Sequence, residues 1–228
     1  MMLSVVGALI LDFDGVIVDT ESAVVAAWRE ECAARGVPFD EVAFLATLGV
    51  PTLGHERVTA LLGEATGDPA LAAERIRARL RVTTAALPVL PGVRELVAEA
   101  DRAGVPTGVA SGASRAWVEG HLRRVGLLGA FGAVVCRDDV AAAKPAPDLY
   151  LLALRRLGAA AAASAAVEDS APGLAAARAA GLRCVAVPGP TTTGHDLAAA
   201  DLFLPTLAGA RLGDLLPPGR GQASAGTA

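Results

Sequence analysis

The stretch Leu9 to Thr20, Leu-Ile-Leu-Asp-Phe-Asp-Gly-Val-Ile-Val-Asp-Thr, constrains this chain more than any other. Gly7 to Leu11 is an apolar run of strand length, too short for most helices. It ends in two carboxylates, Asp12 and Asp14, one residue apart, and then Gly15. Strand side chains alternate faces, so both acids are expected to point the same way at the strand's carboxyl end, where open α/β sheets bind ligands. Gly15 lets the chain turn sharply. Two like charges side by side repel unless a cation or a shared proton compensates them. Taken alone, the stretch also fits a strand entering an Asx-type turn, where Asp and Gly are common. The later motifs weigh against that plainer reading.

After Thr20 the pattern turns helical. Glu21 to Arg35 carries Val24, Val25, Trp28 and Cys32 at helical spacing, and Gly36-Val37-Pro38 stops it. Further helices are expected over 40–48, 53–64 and 69–85, with a turn at Gly49-Val50-Pro51-Thr52. No strand pattern interrupts residues 20–86, so this block reads as an inserted helical module. A proline-rich segment, Leu87 to Gly92, suits its exit hinge. From Pro91 onward helices and strands alternate, with strands expected at 105–110, 133–136, 165–167 and 184–187 and an edge strand at 202–204. Glycines close the intervening helices. This alternation predicts an α/β fold, a parallel sheet with helices on both faces. The expected organisation is a core of residues 1–19 and 88–216, an all-helical cap of 20–87, and a disordered Gly/Pro/Ala/Ser-rich tail of 217–228.

The composition supports a globular chain and narrows its partners. Of 228 residues, 53% are hydrophobic and 19% charged, enough to bury a substantial core. A net charge of -4 and a pI near 5.4 argue against a nucleic-acid footprint. The clustered Arg75, Arg77, Arg79 and Arg81 would spread around a solvated helix face. Cys32, Cys136 and Cys184 are odd in number and lack metal-ligand spacing, which predicts reduced structural thiols and a cytoplasmic protein. No stretch resembles a membrane span, and the apolar N-terminus lacks the basic region of a secretory leader. A monomer or weak homodimer is expected.

Each later strand ends in a polar signature. Ser111-Gly112 puts a hydroxyl beside a glycine whose N–H can approach a ligand, and a helix capped by Ser114 follows, its N-terminus facing an anion. Lys144 is the only lysine; every other basic side chain, histidines aside, is arginine. A lone loop lysine is usually a solvated one, yet this choice before Pro-Ala-Pro points to a need for a compact ammonium. Glu168-Asp169-Ser170 recreates the paired acids of the first strand. Oxygen-only ligands at this density suit a hard divalent cation, Mg2+ where phosphate is also bound. Four acids, a hydroxyl and one lysine on a single rim are hard to explain as structure alone.

Together, Asp-Phe-Asp-Gly-Val-Ile-Val-Asp-Thr, Ala-Ser-Gly, Lys-Pro-Ala-Pro-Asp and Val-Glu-Asp-Ser-Ala-Pro-Gly-Leu-Ala-Ala-Ala resemble the haloacid dehalogenase superfamily over about Gly7 to Pro188. The likeness is to its β-phosphoglucomutase-like phosphatases, with a Rossmann-like core and a helical cap inserted after the first motif. The resemblance implies that Asp12 is the nucleophile, taking the phosphoryl group as an aspartyl-phosphate. Asp14 would protonate the leaving oxygen and then activate water. Ser111 and Lys144 would hold the phosphoryl oxygens. Mg2+ would lie on Asp12, the Asp14 carbonyl and Asp169, with Glu168 behind them. Gly112, Thr20, Glu21, Gly49, Thr52 and Arg115 are the candidate contacts to the rest of a small phosphate ester.

Departures from the family's patterns choose among its chemistries. Asp14 argues against dehalogenation, since dehalogenases lack an acid at that place. The cap has no lysine for the Schiff base of phosphonate hydrolases. Mutases carry a cap histidine and a cap arginine where Val24 and Thr52 stand here. Hydrolysis of a sugar or polyol phosphate is the favoured expectation, with Arg115 as a partial substitute for the mutase contacts. A phosphomutase, or a non-enzymatic phosphate-binding protein on the same fold, is the alternative. His55, His121, His195, Trp28 and Trp117 are read as surface or packing residues.

Overall fold

The computed structural model describes residues 7–45, 68–192, 194 and 196–217. Its centre is a six-stranded sheet of β1 (Leu9–Leu11), β2 (Thr107–Ala110), β3 (Ala133–Val135), β4 (Ala165–Glu168), β5 (Arg183–Ala186) and β6 (Leu202–Phe203). The order is β3-β2-β1-β4-β5-β6 and every pairing is parallel. The sequence crosses from β3 back past β1 to β4, so the topology reverses beside β1. Crevices for ligands open at such a point, outside the carboxyl ends of the strands.

Among the described residues the α-helices are α1 (Thr20–Ala34), α2 (Glu41–Leu45), α3 (Pro69–Thr84), α4 (Val93–Arg102), α5 (Arg115–Arg124), α6 (Asp148–Leu157), α7 (Ala171–Ala179) and α8 (Leu212–Leu215). The alternation of strand side chains decides which helix covers which face. Leu9, Leu11, Val109, Val167 and Val185 join Val93, Leu96, Val118, Leu122, Leu212 and Leu215 in one core, so α4, α5 and α8 lie there. Ile10, Ala110, Ala166, Cys184 and Ala186 meet Leu149, Ala153, Leu174 and Ala177 in the other, beneath α6 and α7. All three residues of β1 are fully buried. Each such side chain contributes roughly 1.5–3 kcal/mol, so the strand carrying Asp12 is anchored by apolar burial on both faces. The helices α1, α2 and α3 enclose a third core of Val25, Trp28, Phe44, Ile76 and Leu80.

The expected strand at 7–11 is shorter, beginning at Leu9, and that at 105–110 begins at Thr107. The connector at 159–163 ends in a 3-10 turn, Ala161–Ala163. Arg77 and Arg81 pair with Glu74, and Arg79 reaches Glu30 and Glu31, on the exposed side of α3. All three cysteines are buried and free. Among the described residues no helix is long and apolar enough to cross a membrane. The expected helix at 53–64, most of the tail and the turn at Gly49 to Thr52 lie outside the described residues.

Candidate active site

Backbone ladders set the positions of the rim residues. Asp12 follows β1, and its N–H donates to the Val167 carbonyl at 2.9 Å, which holds it against β4. Ser111 follows β2 and donates from its N–H to the Val135 carbonyl at 2.9 Å. Glu168 ends β4 and Asp169 succeeds it. Residues 14–18 fold back on themselves, with Gly15 N–H donating to Val18 at 2.9 Å. Gly15 has φ +81°, and a Cβ there would stand 2.1 Å from Asp169 Oδ2. Only glycine lets this loop lie against Asp169. Gly173, in the first turn of α7, is similarly required: a Cβ would meet the Glu168 carboxylate at 1.9 Å.

Lys144 sits between two of the acids. Its Nζ is 2.5 Å from Asp12 Oδ1 and 2.5 Å from Glu168 Oε1. It also lies 5.5 Å from the centroid of the Tyr150 ring, whose hydroxyl donates to Glu168 Oε1. Ser170 Oγ donates to Glu168 Oε2 at 3.3 Å. Asp14 Oδ1 accepts from the Thr20 hydroxyl and, at 3.0 Å, from Trp117 Nε1; Ser111 Oγ stands 3.4 Å from Oδ2. Thr192 Oγ1 donates to Asp169 Oδ2 at 3.4 Å, and Thr191 Oγ1 to Glu21 at 2.7 Å.

Four of these carboxylates, Asp12, Asp14, Glu168 and Asp169, share one ammonium. Burial, then the neighbouring Asp12, raises the pKa of Asp14. Burial pushes Glu168 up to about 7 despite Lys144, and Glu21 to about 8 despite its bond from Thr191. Asp169 is raised well above its ordinary value by burial and by Glu21, Asp12 and Glu168. Burial opposes the charge on Lys144, but Asp12 and Glu168 outweigh it and hold the ammonium protonated. Asp12, Glu168 and Asp169 each offer one oxygen within 4.8 Å of the others, all buried. An excess of hard oxygen donors over positive charge, withdrawn from water, is the donor set a small divalent cation fits.

The fold thus brings Asp12, Asp14, Ser111, Lys144, Glu168 and Asp169 to one rim, with Thr20 and Glu21 beside them. Arg115 is already paired. Its guanidinium is tied to Glu119 at 2.5 Å and Asp139 at 2.5 Å, with the Val134 carbonyl at 3.3 Å. Those bonds commit the guanidinium to protein partners. Thr20 gives its hydroxyl to Asp14. Gly112 is half-buried, and among the described residues nothing beyond its chain neighbours lies within 4 Å of where a Cβ would stand. Gly49 and Thr52 lie outside the described residues. Trp117, read from sequence as packing, bonds Asp14. The signal for it is an indole in the first turn of a helix that starts at the rim. Tyr150, the sole tyrosine, follows Lys144 by six positions. Thr191 and Thr192 belong to the loop after β5.

Comparison with known proteins agrees with this geometry. Residues 6–181 match the model of the haloacid dehalogenase-like hydrolases. Protein CbbY of Rhodobacter capsulatus is 37% identical over 218 residues, covering 89% of this chain and 94% of its own. Fructose-1-phosphate phosphatase YqaB of Escherichia coli is 37% identical over 183 residues, 78% of this chain and 95% of its own. A CbbY variant of Rhodobacter sphaeroides, solved in complex with xylulose-(1,5)bisphosphate, superposes with a TM-score of 0.75 at 33% identity, covering 92% of this chain and 99% of that one. The chain belongs to the haloacid dehalogenase-like hydrolase family, as an enzyme of its phosphatase branch.

Proposed function

We propose that this enzyme hydrolyses sugar or polyol phosphates through an aspartyl-phosphate on Asp12, with Mg2+ as cofactor. The observation that carries the reading is the wedge of the only lysine between Asp12 and Glu168, with Asp14 held beside them by Thr20 and Trp117 and 3.4 Å from Ser111 Oγ. Asp12 attacks phosphorus while Lys144 holds its Oδ1, leaving the other oxygen to form the bond. Asp14 gives a proton to the departing oxygen, then takes one from the water that cleaves the acyl phosphate. Ser111 Oγ and Lys144 Nζ steady the transferring oxygens. Mg2+ would be held by Asp12, the Asp14 carbonyl and Asp169, with Glu168 behind; when bound it supplies the positive charge that lets an anionic nucleophile meet an anionic phosphate. The open ground beside Gly112 suits a phosphoryl oxygen approaching the N-terminus of α5.

Residues 1–19 with 88–216 act as the core and 20–87 as the cap, which shields the reaction from water. The commitment of Arg115 to Glu119 and Asp139 weighs against a mutase, which must hold a second phosphate by positioned cations. The naming of fructose-1-phosphate and xylulose-(1,5)bisphosphate in two relatives supports a phosphorylated sugar as the substrate class. The test is hydrolysis of para-nitrophenyl phosphate and a panel of sugar, polyol and acidic phosphate esters, with Mg2+ or excess chelator, beside Asp12→Asn. Turnover that needs Mg2+ and falls by on the order of a thousandfold or more in the variant is expected. Turnover surviving Asp12→Asn would remove the nucleophile, and a panel dominated by acidic esters such as phosphoglycolate would remove the substrate class.

A further inference from the structure

Asp14 is held unequally at its two oxygens. Oδ1 accepts both the Thr20 hydroxyl and, at 3.0 Å, the Trp117 indole N–H, whereas Oδ2 has Ser111 Oγ at 3.4 Å. An oxygen facing two donors is a poor place for a proton, which would point at other protons. We propose that Trp117 is a positioning residue for Asp14: its N–H pins Oδ1 and leaves Oδ2, on the Ser111 side, to carry the proton. The inference rests on the acid-base reading of Asp14 given above. As the Asp12–phosphorus bond forms and the ester P–O bond breaks, the Oδ2 proton passes to the leaving oxygen. Water then gives a proton to Oδ2 and attacks phosphorus, and the Asp12–phosphorus bond breaks to release phosphate, restoring both carboxyl groups.

Indole suits this duty because it donates and has no lone pair with which to take the proton. The aim of the ring comes from α5. The Trp117 N–H of the backbone donates to the Ser114 cap at 3.4 Å, and the ring stands edge-on to His121 with centroids 4.4 Å apart. Thr20, the second donor, opens α1, so Oδ1 is held from the sheet's covering helix and from the helical block at once.

The leaving group provides the test. An aryl oxide departs with little help, while an alkoxide needs the proton, and kcat/KM reports the half-reaction in which the leaving group departs. We would measure kcat/KM for para-nitrophenyl phosphate and for the sugar or polyol phosphate that the wild type hydrolyses fastest. The same measurements would be made on Trp117→Phe and on protein with benzothienylalanine at position 117, where sulfur replaces N–H in a ring of the same shape. The alkyl ester should lose about tenfold more than the aryl ester in both, the value of one charge-assisted hydrogen bond. Thermal melting of the isostere, unchanged from wild type, excludes misfolding. Equal losses on the two esters, or a wild-type ratio in the isostere, would overturn the role of Trp117 while leaving the phosphatase reading intact. A wild type that hydrolyses neither ester would overturn that reading and this inference with it.

Discussion

Two charge clusters stand at the same end of the sheet, and Asp139 in one is shifted opposite to Glu168 in the other. Beside β3, Asp139 receives Arg115 at 2.5 Å, Arg156 at 3.2 Å and the Cys136 N–H at 2.8 Å, and Arg115 also meets Glu119. Burial alone would raise the pKa of Asp139, but these bonds outweigh it and hold the carboxyl at about 2. At the rim beside β1 and β4, the buried Asp12, Glu168 and Asp169 and the half-buried Asp14 have a single ammonium among the described residues, and Glu168 is pushed up to about 7. The lesson is one of balance. Where guanidinium groups match carboxylates, charge ties α5, α6 and β3 together. Where acids outnumber their cation, the fold bears a cost that a bound cation and a phosphoryl group relieve.

The largest break in this comparison is Lys144→Met, which removes the one positive charge that, among the described residues, pairs with the rim carboxylates. Taking one partner from a buried pair costs about 3–5 kcal/mol, so the urea midpoint at pH 8 should fall steeply in the absence of Mg2+. The loss should be smaller at pH 5, where the orphaned acids can protonate. An unchanged midpoint at pH 8 would mean that the ammonium is not what holds the rim together.

A second prediction separates the clusters by pH. Glu168 and Glu21 keep their protons to about 7 and about 8 in the folded chain, against an ordinary 4.5. The unfolded chain loses those protons first, so stability falls as pH rises from about 4.5 to about 8. Asp14 and Asp169, also raised, act in the same sense. His121, lowered by burial and by Arg124, opposes them as a single group. Asp139 runs the other way at the acid end: its stability is present above its ordinary 3.8 and is lost as pH falls through about 2. Calorimetry with chelator should therefore give a Tm that declines by several degrees from pH 5 to pH 8, and Mg2+ should restore more of it at pH 8 than at pH 5. A Tm that climbs over that interval would contradict the excess of buried acid.

The smallest effect belongs to the balanced cluster. Asp139→Asn keeps the shape and loses charge-assisted bonds that are partly exposed, a cost of about 1–2 kcal/mol. Its kcat/KM on para-nitrophenyl phosphate should stay within about twofold of wild type. A large loss of turnover with an unchanged Tm would show that Arg115, once freed, reaches the site.

Much of this organisation is legible in residue order because it rests on local chemistry. The apolar run before Asp12, the regular alternation after Pro91 and the acid pairs at strand ends predict the parallel sheet and its acidic rim. Two side chains take up partners that are distant in sequence. Arg115 looks available until Asp139, 24 positions later, is folded against it. Trp117 looks like packing until Asp14, 103 positions earlier, is brought to its N–H.

By itself the sequence determined which chemistry the chain carries: two pairs of acids and a hydroxyl, fixed to strand ends by period-two patterning and turn residues, and a solitary lysine in the loop after β3. Tertiary structure alone decided how those groups are partnered. Strand order puts β1 between β2 and β4, so Asp12, Ser111 and Glu168 become neighbours although far apart in the chain. It also decided which oxygen of Asp14 is held and which charges are neutralised. Hydrogen bonds and ion pairs depend on ångström-scale distances between side chains from different elements, and residue order sets no such distance until the elements pack.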